Sequence, residues 1–193
     1  MGKTITKEEI STFSVEEFTG RIYVIDNPVD SEKAVHYLSR FKMLGFDTET
    51  RPTFTKGLRR SASLVQLSTP DTCFLFRLSG NGFPPPLIVL LSNPGILKIG
   101  LSLRDDFLSM SRRMKFAPQG FVDLQQIIRN YDIEDISLQK IYAILFNKKI
   151  SKNQRLTNWE AAELTEAQKK YAALDAWACL KIYEYLCPAK KYI

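Results

Sequence analysis

The sequence has a single histidine, His36, and three cysteines, Cys73, Cys179 and Cys187, none in C-x-x-C spacing. That scarcity removes most histidine-dependent metal sites and Ser-His-Asp chemistry, and it leaves no zinc framework. An odd, dispersed cysteine set reads as reduced, packed thiols of a cytosolic protein rather than a disulfide scaffold. Long apolar runs are missing too. The longest cluster, residues 87–91, falls far short of the roughly 20 residues that span a bilayer. Met1-Gly2-Lys3-Thr4 opens no signal-peptide hydrophobic region, so the expectation is a cytoplasmic protein away from membranes. Internal repeats, low-complexity tracts and Gly/Ser linkers are absent as well.

What remains is a chain of 193 residues, 45% hydrophobic and 25% charged, which suits one ordinary domain with a substantial core. Lys and Arg number 27 against 21 acids, a net charge of +6. A basic surplus favours phosphate-bearing partners, although ordinary solubility accounts for one this modest equally well.

Residues 1–20 form a peripheral extension with two capping patterns, Thr6 with Glu9 and Ser14 with Glu17, each announcing a short helical turn. Residues 22–25 read as a strand, and Ser31 as the cap of a helix reaching Arg40. Strands follow at 43–49, 63–68 and 73–78, the last two forming an antiparallel hairpin through Thr69-Pro70-Asp71-Thr72. Beyond Pro84-Pro85-Pro86 come a short apolar helix, a strand at 97–101, a helix over 104–115 and a strand at 120–123. The rest is helical: 124–131, 137–145 and a long helix from Thr165 to about Cys187. The fold class is α/β: a mixed sheet of about five strands, helices on both faces and a helical C-terminal third.

Fold alone decides no function; the carboxylates are more informative. Asp47 and Glu49 stand at i and i+2 on one strand, so they share a face. Two close carboxylates are costly unless one is protonated or a cation lies between them; both pointing to solvent is the plain alternative. Asp105-Asp106 opens a helix after an apolar strand, where acids also suit the macrodipole. Asp105 fits that capping role, and Asp106 is the better candidate to point across the sheet. Tyr171 and Asp175, spaced i and i+4, stack on one face of the final helix among Ala172, Ala173, Ala176 and Ala178, with a pair to Lys170 as the alternative. Four carboxylates without a histidine suit hard, oxygen-seeking ions, chiefly Mg²⁺ or Mn²⁺. Two such ions about 3.5–4 Å apart clamp an in-line phosphoryl displacement.

In this order and spacing, the motifs resemble those of the DEDDy-type 3′–5′ exonuclease domains, the group containing ribonuclease D and the Werner-syndrome exonuclease domain. The likeness spans residues 23–186. Gly45-Phe46-Asp47-Thr48-Glu49-Thr50 resembles the first motif, with Ser63-Leu64-Val65-Gln66-Leu67 as the hairpin strand that follows it. Residues 98–106 resemble the second, with Asp106 favoured over Asp105 by its distance from Gly100. Tyr171-Ala172-Ala173-Leu174-Asp175-Ala176 resembles the third, preceded by Leu156-Thr157-Asn158-Trp159. The resemblance implies a ribonuclease-H-like fold and release of nucleoside 5′-monophosphates from the 3′ end of DNA or RNA. Asp47, Glu49, Asp106 and Asp175 would hold two divalent ions, and Tyr171 would orient the attacking water. Ribonuclease D carries helical nucleic-acid-binding domains after this unit, whereas the present sequence stops soon after Cys187, so a lone catalytic domain over 1–193 is expected.

For a single-stranded or 3′-overhang partner, the basic stretch Lys148, Lys149, Lys152 and Arg155 would track phosphates toward the metals, although a solvated face explains any one of these charges. Arg59-Arg60 and Arg112-Arg113 are further basic clusters. Phe54 is placed to stack on a terminal base; Trp159 is expected to pack beneath the final helix, and His36 to carry no role. A catalytically inactive nucleic-acid-binding module of the same fold, or an endonuclease, are the competing readings.

Overall fold

A strand buried on both faces must be covered twice, and residues 62–68 are such a strand, buried at every position. The computed structural model describes residues 2–55, 57–78 and 82–188. In chain order these form α1 (Lys7–Thr12), β1 (Ser14–Val15), β2 (Arg21–Ile25), α2 (Pro28–Leu38), β3 (Met43–Thr50), β4 (Ala62–Ser68) and β5 (Thr72–Arg77). They continue with α3 (Pro85–Leu91), β6 (Leu97–Gly100), α4 (Leu103–Ser111), β7 (Phe121–Asp123), α5 (Leu124–Ile128), α6 (Leu138–Phe146), β8 (Lys148–Lys149) and α7 (Glu166–Leu186).

Among the described residues the main sheet has six strands, ordered β2-β5-β4-β3-β6-β7, rather than about five. The pairs β3–β4 and β4–β5 are antiparallel, and the rest are parallel. This is the mixed ribonuclease-H-like sheet expected from the sequence. Alternation sorts the core into two. Leu64, Leu75 and Ile99 pack with α5, α6 and α7 on one face, while Leu44, Phe46, Val65 and Leu67 pack with α2, α3 and α4 on the other. Each fully buried Leu or Phe contributes about 1.5–3 kcal/mol, so the sheet is held from both sides.

Two local expectations are corrected. Helix α2 starts at Pro28, not after Ser31: the Asn27 side chain accepts from the Asp30 amide at 2.9 Å, and proline suits a first helical position because its φ is preset. Ser31 lies buried inside the helix. The second N-terminal capping pattern forms no helix; Ser14 and Val15 instead pair in parallel with Lys148 and Lys149. That pairing draws the extension inward, so Ile10, Glu16 and Phe18 are buried rather than peripheral.

Glu16 is the polar anchor of this arrangement. Its carboxylate accepts from the Tyr142 hydroxyl at 2.5 Å, from Lys148 at 2.9 Å and from Lys181 at 3.1 Å. Lys181 also lies over the rings of Tyr142, Phe146 and Trp177. Burial alone would raise the Glu16 carboxyl, but these donors hold it down at about 2. No described helix is long and apolar enough to cross a membrane.

A depressed folded-state pKa stabilises above the unfolded value near 4.5 and is lost as pH falls toward 2. We expect Glu16→Gln to lower stability at pH 7 by roughly 1–3 kcal/mol, discounted for the partly exposed lysines. Between pH 4.5 and 2 the gap to wild type should narrow in chemical-denaturation curves. A gap constant with pH would remove Glu16 as the anchor.

Candidate active site

Strand β3 carries Asp47 and Glu49 on its α7 face and Thr48 on the other. Helix α7 lies close over that strand because position 45 is glycine: a Cβ there would fall 2.0 Å from the Ala176 carbonyl oxygen. Asp175, next to Ala176, is thereby delivered to the strand. One carboxylate oxygen each from Asp47, Glu49 and Asp175 lies within 4.8 Å of the others.

Asp106 reaches the same end of β3 from the opposite face. Ser102 takes a left-handed turn at φ 62°, and the Asp123 carboxylate accepts from the Ser102 and Leu103 amides at 3.1 and 3.0 Å, fixing the start of α4. One turn on, Asp106 accepts from the Thr48 hydroxyl at 2.5 Å. Asp106 is thus adjacent to the trio but outside it.

The electrostatics record the crowding. Burial pushes the Asp47 carboxyl up to about 7. Glu49 is raised by burial and then by the charges of Asp47, Asp175 and Asp106, against which Arg155 acts. Burial and the Asp47 charge likewise raise Asp106 and Asp175; the Thr48 hydroxyl opposes this for Asp106, and the Tyr171 hydroxyl, followed by the Lys152 charge, opposes it for Asp175. Tyr171 is driven up by burial and by the charges of Asp175, Glu49 and Asp47, so its phenol stays protonated and acts as a donor.

Whether this cluster fits a cation is decided by its donors. Asp175 Oδ1 is buried with no hydrogen-bond partner among the described residues, an arrangement that costs free energy unless a charge compensates it. The nearby Cys73 and Cys179 thiols are raised, chiefly by burial, and remain neutral, so they do not compete as ligands. An all-carboxylate set fits hard divalent ions.

The remaining candidates divide. Lys152 and Arg155 send their charge to Asp175 and Glu49. Lys148 is paired to Glu16, and Lys149 donates to the Ser11 carbonyl at 2.8 Å, so both fasten the N-terminal segment. Phe54 is 87% exposed on the rim of a cavity of about 370 Å³ that also takes in Arg51, Arg60, Leu156 and Asn158. A second cavity of the same size runs from Glu49 and Asp106 to Arg59, Arg60 and Arg112. Trp159 is buried with its ring 6.0 Å from Tyr171, as its sequence context suggested, and His36 is exposed on α2.

Comparison with known proteins decides the family. The family model described as 3′–5′ exonuclease matches residues 22–189. The chain belongs to this 3′–5′ exonuclease family. The mouse bifunctional 3′–5′ exonuclease/ATP-dependent helicase WRN is 33% identical over 162 residues, which cover 81% of this chain and 12% of that protein. The chain likewise spans only 26% of a relative from Drosophila melanogaster, exonuclease 3′–5′ domain-containing protein 2, which is 32% identical over 156 residues. The crystal structure of the Aedes aegypti Nibbler EXO domain superposes with a TM-score of 0.77 at 22% identity, covering 92% of this chain and 94% of that one. Brucella melitensis NrnC has been solved with bound Mg²⁺ and bound to pGG; the Mg²⁺ structure superposes at TM-score 0.67 and 25% identity, covering 87% of this chain and 80% of that one.

Sequence reasoning gave no role to Thr48, Asp123 or Gly45, which position the acidic cluster. The first two act across chain separations of 58 and about 20 residues, which no local spacing announces. Gly45 stood inside the first motif, but its role depends on how closely α7 approaches.

Raised folded-state values mean that unfolding releases protons, so metal-free stability falls as pH rises from the ordinary carboxylate range toward 7 and beyond. We expect Asp175→Asn to stabilise the metal-free protein at pH 8 by roughly 1–2 kcal/mol, read as a higher Tm. Mn²⁺ should raise the Tm of the variant less than that of wild type. A lower metal-free Tm in the variant would contradict a strained acid cluster.

Proposed function

We propose that the chain is a metal-dependent exonuclease that hydrolyses phosphodiester bonds from the 3′ end of DNA or RNA and releases nucleoside 5′-monophosphates. The observation that carries this reading is the convergence of Asp47, Glu49 and Asp175 within 4.8 Å, with Asp106 beside them and a partnerless buried oxygen on Asp175. These four carboxylates would hold two divalent ions, Mg²⁺ or Mn²⁺. When bound, such ions supply charge stabilisation for a phosphoryl transfer and lower the pKa of an attacking water.

The chain's own groups do the rest. The Tyr171 hydroxyl, kept protonated, donates to a water or phosphate oxygen and so fixes its orientation; it is not the proton acceptor. Lys152 and Arg155 offset the acids' charge from the loop before α7 and meet incoming phosphates. That loop is pinned to the body by Arg77, which donates to the Ala161 and Ala162 carbonyls, and by Gln168, whose amide donates to Thr157 and to the Asn158 carbonyl. Leu58 and Leu108 line one cavity and Phe54 and Leu156 the other, all exposed, with arginines between them. Apolar surfaces alternating with guanidinium groups suit the stacked bases and phosphates of a single strand. That Brucella melitensis NrnC has been solved bound to pGG supports a ligand of this kind for the chain.

The deciding assay follows a 5′-labelled single strand with Mn²⁺. We expect a ladder shortened from the 3′ end, and loss of at least a thousandfold in rate for Asp47→Ala, the order expected when charge stabilisation at the reacting phosphate is removed. Tyr171→Phe should lower kcat about a hundredfold while leaving Mn²⁺ affinity unchanged. Tight strand binding without cleavage by wild type would instead favour a binding module, and cutting of a circular single strand an endonuclease. Phe54→Ala should raise KM about tenfold if the ring stacks on a base; an unchanged KM would remove that contact.

A further inference from the structure

Gln66 is the least comfortable side chain in the core. It is 0% exposed, and both its amide oxygen and its amide nitrogen lack a hydrogen-bond partner among the described residues. Buried amides are almost always paired, so two orphaned atoms on one side chain call for a reason. A leucine or methionine would fill the same volume without the penalty.

Its register supplies the reason. Gln66 sits opposite Asp47 on β3 and opposite Leu75 on β5. Directly opposed residues project from the same face with Cβ atoms about 4.5–5.5 Å apart. Leu75 offers no polar group; Asp47 does. On its own strand the nearest same-face polar group is Ser68, whose hydroxyl is already committed to the Thr69 carbonyl at 2.8 Å. Helix α7, which carries Asp175, closes this face.

We propose that Gln66 is a positioning residue for the metal-binding carboxylates. Its amide N–H groups donate to the Asp47 oxygen that does not face the ion, and so fix the carboxylate's rotamer once a cation is held. This deepens the exonuclease reading and rests on the acidic cluster being the metal site. A ligating carboxylate needs such a partner, and loss of one typically costs about 10- to 100-fold in metal affinity. Asp47 is the polar group that this register offers to the unpaired amide.

The test is Gln66→Met, which keeps the volume and removes the amide. Mn²⁺ affinity is measured by calorimetry, and Tm is measured with and without Mn²⁺, both independent of cleavage. A positioning role predicts two shifts of opposite sense: a metal-free Tm equal to or above wild type, and a Kd for Mn²⁺ weakened about 10- to 100-fold. Gln66→Asn, whose amide stops one methylene short, should weaken Mn²⁺ binding similarly and serves if the methionine variant does not fold. A Kd within twofold of wild type in the variant that folds would overturn the proposal and leave Gln66 as packing. Asp47→Ala is the control. If wild type and Asp47→Ala both fail to bind Mn²⁺, the metal site itself falls; if wild type binds and Gln66→Met binds equally well, only the role of Gln66 falls.

Discussion

The close approach of α7 to β3 is the constraint on which the remaining architecture depends. Gly45 permits it, since any side chain there would meet the Ala176 carbonyl. The alanines of the helix keep its lower surface flat, with Ala172, Ala173, Ala176 and Ala178 all fully buried. Asp47 and Asp175 come from opposite ends of the sequence, and only this contact makes them neighbours. Acid crowding is therefore a product of backbone packing, and the free energy it costs is offset by the apolar burial on both faces of the sheet.

Thr48 shows how one strand serves two layers. Its neighbours Asp47 and Glu49 face α7, while its own hydroxyl turns to Asp106 on α4. The period of two that gathers one pair of acids thus also links them to a third group on the far side. Asp123 holds the start of α4 at the height where Asp106 meets that hydroxyl. The acidic end of the sheet is a junction of β3, α4 and α7, and no single element defines it.

Much of this was legible in the sequence. The strands from 43 to 123 and the long last helix follow from strong periodicity and turn residues, and the acids were identifiable from spacing plus family resemblance. What escaped detection depends on tertiary partners. Residues 14–17 carry a helix-start pattern, yet pairing with Lys148 and Lys149 and burial of Glu16 outweigh it. Those two lysines read as substrate contacts, but one answers Glu16 and the other a backbone carbonyl. Lys98, a charge within β6 to which the sequence assigned no role, is fully buried with its ammonium donating to the Leu90, Asn93 and Ile96 carbonyls. A charged residue in a strand gives no local sign of whether three carbonyls await it.

The way the segment ahead of α7 is hung has a consequence for how such a protein can diversify. Arg77 grips the main-chain oxygens of Ala161 and Ala162, not their side chains, and Gln168 holds the Asn158 carbonyl in the same fashion. Replacing Asn158, Ala161 or Ala162 leaves these main-chain bonds available, whereas Thr157 is held through its hydroxyl. Side chains at those three positions can therefore change without releasing the segment, while the carboxylates of the cluster keep their places.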